Sequence, residues 1–130
     1  MPHMHIEYSR NVENVADIGA LCRAVHDAIV TCGVFPLAGS RTRAFAADHA
    51  IVADGHEDAA FVAMTLSVGA GRTTQVLKEA GDTIFAAARE ALAEPLATDQ
   101  FSLSLEIRVM DPDLAWKETT LYQRLAAKDG

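Results

Sequence analysis

From Pro2 to Tyr8 the chain alternates. Met4, Ile6 and Tyr8 face one way, and His3, His5 and Glu7 the other. A period of two predicts a short strand. Ser9 to Asn14 supply turn and capping residues, and from Val15 the period turns helical. Ile18, Leu21, Cys22, Val25, Ile29 and Cys32 form one apolar stripe at spacings of three and four. Gly33 predicts the end of that helix, and Phe35 to Ser40 read as a loop. Arg41 to Val52 read as a second strand, made irregular by frequent alanine and interrupted by Asp48. Asp54 to Asp58 read as a polar turn.

The pattern then begins again. Phe61 to Val68 alternate as a strand, Gly69-Ala70-Gly71 break it, and Thr73 or Thr74 is placed to cap a second helix. The stripe of that helix is Leu77, Ala80, Ile84, Ala88 and Leu92, with Pro95 near its end. Phe101, Leu103, Leu105, Ile107 and Val109 alternate with Ser102, Ser104, Glu106 and Arg108 in the clearest strand of the chain. The expected domain is of α/β (α+β) class with order β-α-β-β-α-β, its halves at about 2–52 and 60–110. Each crossover should be right-handed and join parallel strands. Two single-stripe helices can then share one face of a four-stranded mixed sheet. The tail, 111–130, carries Leu114, Trp116, Leu121, Tyr122 and Leu125 without a long regular period. It is expected to serve as an arm to a neighbouring subunit or to fold back on its own domain.

Composition narrows the partners. The chain has 130 residues, half of them hydrophobic, and a formal net charge of −7. One domain is expected, small enough to gain from burial by partner subunits. With no basic stripe, neither nucleic acid nor a membrane surface is an expected partner. An acid-binding site would have to concentrate its positive charge locally. Cys22 and Cys32 lie ten residues apart on one predicted helix, about 15 Å at helical rise, too far for a disulfide. Reduced cysteines and the lack of a signal-like start suit the cytoplasm.

Several residues carry possible chemistry. Removal of Met1 would expose Pro2 as a secondary amine; α-amino groups titrate near 8. Neighbouring guanidinium groups and desolvation would lower that value and leave a neutral base near pH 7. Taken alone, a proline at position two far more often marks a mere chain start. Arg41 and Arg43 share a strand face after a glycine-containing loop and can engage carboxylates, or can be solvated strand charges. Arg72 follows two glycines that allow close backbone approach, just before a helix start. It suits an anion contact or a surface cap. His3 and His5 alternate on one face, but no third ligand with suitable spacing accompanies them, so no metal site is expected. Glu7 is either a strand-edge charge or a site carboxylate. Phe35 and Phe61 are core residues by default and pocket walls otherwise.

Taken together, these stretches resemble the 5-carboxymethyl-2-hydroxymuconate Δ-isomerase family of the tautomerase superfamily. The resemblance is carried by Pro2-His3 with Glu7, by Gly33-Val34-Phe35-Pro36-Leu37-Ala38-Gly39, and by Arg41 and Arg43. It continues through Ala53-Asp54-Gly55, Phe61-Val62 with Met64-Thr65-Leu66, Gly69-Ala70-Gly71-Arg72, and Leu103-Ser104 with Glu106-Ile107. It implies a tautomerase-like homotrimer needing no cofactor or metal, acting in the homoprotocatechuate branch of aromatic-acid catabolism. Its reaction would move a proton along a conjugated dienol acid, a dicarboxylate or tricarboxylate. It implies Pro2 as the catalytic base and Arg41 and Arg72 as substrate contacts, with Arg43 fitting less closely. His5 departs from the family's apolar residue. Two alternatives stay open: a superfamily enzyme acting on another oxo acid, and a non-catalytic trimeric ligand-binding protein.

Overall fold

The computed structural model describes residues 1–129. Strand β1 is His3–Ser9, β2 is Arg41–Ala47, β3 is Ala60–Val68 and β4 is Phe101–Val109. The helices are α1 (Ile18–Thr31), α2 (Thr74–Ala91), the single turn α3 (Ala93–Leu96) and α4 (Leu121–Asp129). The sheet order is β2-β1-β3-β4. Within each half the strands run parallel, β1 with β2 and β3 with β4; β1 and β3 meet antiparallel at the centre. The sheet is therefore mixed and four-stranded, as the repeated β-α-β pattern predicts.

The two apolar stripes bury against one sheet face. Leu21, Val25 and Ile29 of α1 and Ala80, Ile84 and Ala88 of α2 lie in one core with Met4, Ile6, Val62, Met64 and Leu66. Burying a side chain of this size contributes about 1.5–3 kcal/mol, so these positions dominate the stability of the fold. Asp17 caps α1 through Ala20 N (3.0 Å), and Thr73 caps α2 through Val76 N (3.2 Å). Each cap satisfies a backbone donor that the helix cannot. Gly33, at φ 79°, ends the α1 segment in the left-handed region that an ordinary side chain avoids. The opposite sheet face, which includes His5, Arg43 and Phe45, is covered by neither α1 nor α2.

Three expectations need correction. The second strand stops at Ala47 rather than continuing to Val52. Its partner β1 is exhausted at Ser9, Asp48 turns aside to pair with Arg10 (2.9 Å), and Ala53 adopts a positive φ of 51°. The first helix starts at Ile18 rather than Val15, because Arg10–Asn14 form a 3-10 turn and Asp17 takes the cap. The tail, expected to lack a long regular period, contains the helix α4, and of its two expected courses it takes the second, folding back on its own domain: Leu125 is buried and α4 packs on the Leu37–Gly39 turn.

Candidate active site

The start of β1 is the centre of the site. Parallel pairing sets His3 beside Arg41 and His5 beside Arg43, and Arg41 N donates to Pro2 O (3.0 Å). The Leu37–Gly39 turn thus delivers β2 to the first residue of β1. Space above Gly39 is tight: a Cβ on it would lie 3.0 Å from Met1 Cα, 3.4 Å from Met1 N and 3.3 Å from Tyr122 Oη. Arg41 Nη1 donates to Gly39 O (3.2 Å) and points at His3 Nε2 (3.4 Å). That approach requires an unprotonated Nε2. Burial first, then Arg41, Arg43, the chain's amine and Lys117, hold the imidazole below its usual pKa, which favours the neutral ring.

Arg72 reaches the same corner from the other half of the repeat. Its Nε donates to Val34 O (3.1 Å), its Nη1 to Gly69 O (3.3 Å), and its Cζ lies 4.9 Å from the Phe35 ring centroid. The Val34-Phe35 loop and the glycine break therefore clamp the guanidinium from two sides. Nη2 has no acceptor among the described residues and stays available to a ligand. Phe35, buried, forms the apolar floor beneath Arg72.

The amine of Met1 shows what the corner does to a basic nitrogen. Its pKa lies below the ordinary 8.0, first through burial, then through the positive charges of Arg72, Lys117 and Arg41. While Met1 is attached, Pro2 N is a tertiary amide with neither a proton nor basicity. Pro2 itself is buried.

The structure thus gathers Pro2, Arg41 and Arg72 and leaves other candidates outside. Arg43 is exposed on the open sheet face, one strand repeat farther from Pro2 than Arg41. Glu7 is exposed and lies roughly 16 Å along β1 from Pro2. Phe61 pairs with Ser102 at the opposite end of the sheet. His5 stacks on Phe45, with centroids 5.0 Å apart, rather than entering the corner. Gly39, Lys117 and Tyr122 also stand near the Met1 amine, and sequence reasoning did not single them out. Gly39 had a signal, the last position of a string already singled out; Lys117 and Tyr122 had none, because the path of the tail is set by tertiary packing. A groove of about 640 Å³ lies elsewhere, between α2 and β4, lined by Leu77, Phe85, Leu105 and Ile107. Apolar side chains dominate it and Lys78 is its one lining cation, so it does not match an acid-binding site.

Fold and site together define a β-α-β-β-α-β domain of tautomerase-superfamily type, with arginines from both halves around the chain's first nitrogens. The W0 fused 4-OT wild-type symmetric trimer shares that fold at 16% identity and a TM-score of 0.62, over 89% of this chain and 93% of that one. A family model described as 5-carboxymethyl-2-hydroxymuconate isomerase matches residues 2–125, and the chain belongs to that family. The 5-carboxymethyl-2-hydroxymuconate Delta-isomerase of Escherichia coli is 35% identical over 122 residues, covering 94% of this chain and 97% of the relative. A crystal structure of a 5-carboxymethyl-2-hydroxymuconate delta-isomerase superposes with a TM-score of 0.88 at 34% identity, over 96% of this chain and 93% of the other. The isomerase from Deinococcus radiodurans R1 does so at 0.86 and 32%, over 95% and 92%.

Proposed function

We propose that the protein is a 5-carboxymethyl-2-hydroxymuconate Δ-isomerase whose base is the amine of Pro2, freed by removal of Met1. The observation that carries this reading is the convergence of two arginines on the chain's first nitrogens in a corner that lowers the pKa of an amine. The neutral Pro2 nitrogen takes the proton of the substrate's 2-hydroxyl: the O–H bond breaks and an N–H bond forms. The electron pair left on oxygen makes the C2 carbonyl, and the C2=C3 pair moves to become the C3=C4 double bond. The C4=C5 pair takes the proton of the Pro2 ammonium at C5, which gives the α,β-unsaturated ketone and restores the base. Arg41 and Arg72 hold carboxylates and stabilise the charge that spreads over the dienolate. Arg43 serves, at most, from the margin of this site. No step calls on a cofactor or a metal.

The same reading includes a homotrimer in the cytoplasm, serving the homoprotocatechuate branch of aromatic catabolism. The open sheet face, with Phe45 half exposed, and the two sheet edges at β2 and β4 favour association with further copies. The test is loss of dienol absorbance when 5-carboxymethyl-2-hydroxymuconate is added to protein of verified N-terminal mass. The expected result is catalysed ketonisation, with Arg72→Ala lowering kcat/KM by about a hundredfold or more, the scale of losing a group that stabilises developing charge. Absence of turnover, with activity on a different oxo acid, would move the protein to another reaction of the superfamily.

A further inference from the structure

The tail brings a third cation to this corner. After β4, Met110 N donates to Val68 O (2.8 Å), and Asp111 caps the 3-10 turn Pro112–Leu114 through Asp113 N (2.9 Å). Residues 115–120 then lead into α4, which docks on the Leu37–Gly39 turn through buried Leu125. The docking places Tyr122 Oη within 3.3 Å of the point above Gly39 that also lies 3.4 Å from the Met1 amine. Lys117 Nζ sits 5.2 Å from the Tyr122 ring centroid, a cation–π approach that holds the ammonium at the rim. Among the described residues Lys117 has no carboxylate partner. In a chain of net charge −7, Arg41, Arg72 and Lys117 thus converge on one corner. Their mutual repulsion is relieved when an anion of matching charge binds.

We propose that Lys117, presented by Tyr122, is a third carboxylate contact of the site and gives it a preference for tricarboxylates over dicarboxylates. The assignment rests on the isomerase reading above, in which the substrate carries two muconate carboxylates and a carboxymethyl group. Arg41 and Arg72 answer two of the three anions, and Lys117 answers the third. Tyr122 is a positioning residue: its ring holds Lys117 and takes no part in the proton transfer.

The test uses full-length protein from which Met1 has been removed, verified by mass, at fixed ionic strength. Binding of propane-1,2,3-tricarboxylate and of glutarate is measured by calorimetry, and turnover of 5-carboxymethyl-2-hydroxymuconate is followed in parallel. The unsubstituted protein should favour the tricarboxylate by about tenfold, the scale of one charge-assisted contact. Lys117→Ala should lose that preference and raise KM about tenfold with kcat little changed, while Lys117→Arg restores both. Tyr122→Phe should behave as the parent and Tyr122→Ala as Lys117→Ala. An unaltered preference in Lys117→Ala, or no preference in the parent, overturns the assignment. A Lys117-dependent preference without turnover upholds the contact and rejects the isomerase reading instead.

Discussion

At the scale of single residues, the corner makes an amine less basic. Burial and the charges of Arg72, Lys117 and Arg41 all disfavour the protonated form, so the Met1 amine titrates below its ordinary 8.0. In the proposed enzyme the same surroundings act on the Pro2 amine, which is a base only when neutral. Activity should therefore persist as pH falls from 8.0 to the lowered pKa and be lost below it. Arg72→Ala removes the largest of the three charge effects, so the acid limb of the kcat/KM profile should move to higher pH, separately from any drop in its height. An acid limb that stays in place in this variant would mean that another group is titrating. His3, whose ring must stay neutral to face Arg41, adds no competing positive charge. The grouping of Pro2, Arg41 and Arg72 at one corner was legible in the sequence only through the strings that carry the family resemblance, since each residue alone has an ordinary structural reading. Tyr122 was not legible, because its use depends on the 3.3 Å approach to Gly39 that only the folded tail creates.

Among the elements, periodicity carried most of the information. The stripe Leu77, Ala80, Ile84, Ala88 and Leu92 predicts α2 and its buried face, and all five are buried. The alternation of Phe61 to Val68 predicts β3 to within one residue. Errors fell where partners rather than patterns decide. β2 ends where β1 has no further residue to pair with, and Asp48 leaves the strand for Arg10. The beginning of α1 went to Asp17, whose side chain meets Ala20 N, in preference to the earlier apolar residue Val15. A capping contact of this kind is worth about 1 kcal/mol, enough to choose among start sites a few residues apart. The short period of α4 hid it, since only its docking on the Leu37–Gly39 turn makes it a stable helix.

On the scale of the whole molecule, the halves of the repeat have unequal duties. The first contributes Pro2 and Arg41, the second Arg72, and the tail closes the corner between them. The antiparallel junction of β1 and β3 brings the paired ends together, with His3 facing Ser67 across the sheet. On the open sheet face His5 stacks on half-exposed Phe45. The proposed homotrimer predicts a light-scattering mass three times the 13.9 kDa of the chain, and a monomeric mass would remove the trimer from the account. No helix among the described residues is long and apolar enough to cross a membrane.

The central claim concerns one nitrogen. Pro2 N is an amide while Met1 is bonded to it and an amine once Met1 has gone, and Met1 itself occupies the space above Gly39, which the proposed reaction needs for its substrate. The most direct measurement is the turnover of 5-carboxymethyl-2-hydroxymuconate by two preparations of the same chain, one retaining Met1 in every molecule and one lacking it, each checked by intact mass. The expected result is isomerisation by the shortened chain and a loss of at least about a thousandfold with Met1 retained, in line with removal of a general base together with access to the site. Equal rates in the two preparations would contradict the assignment of Pro2 as the base.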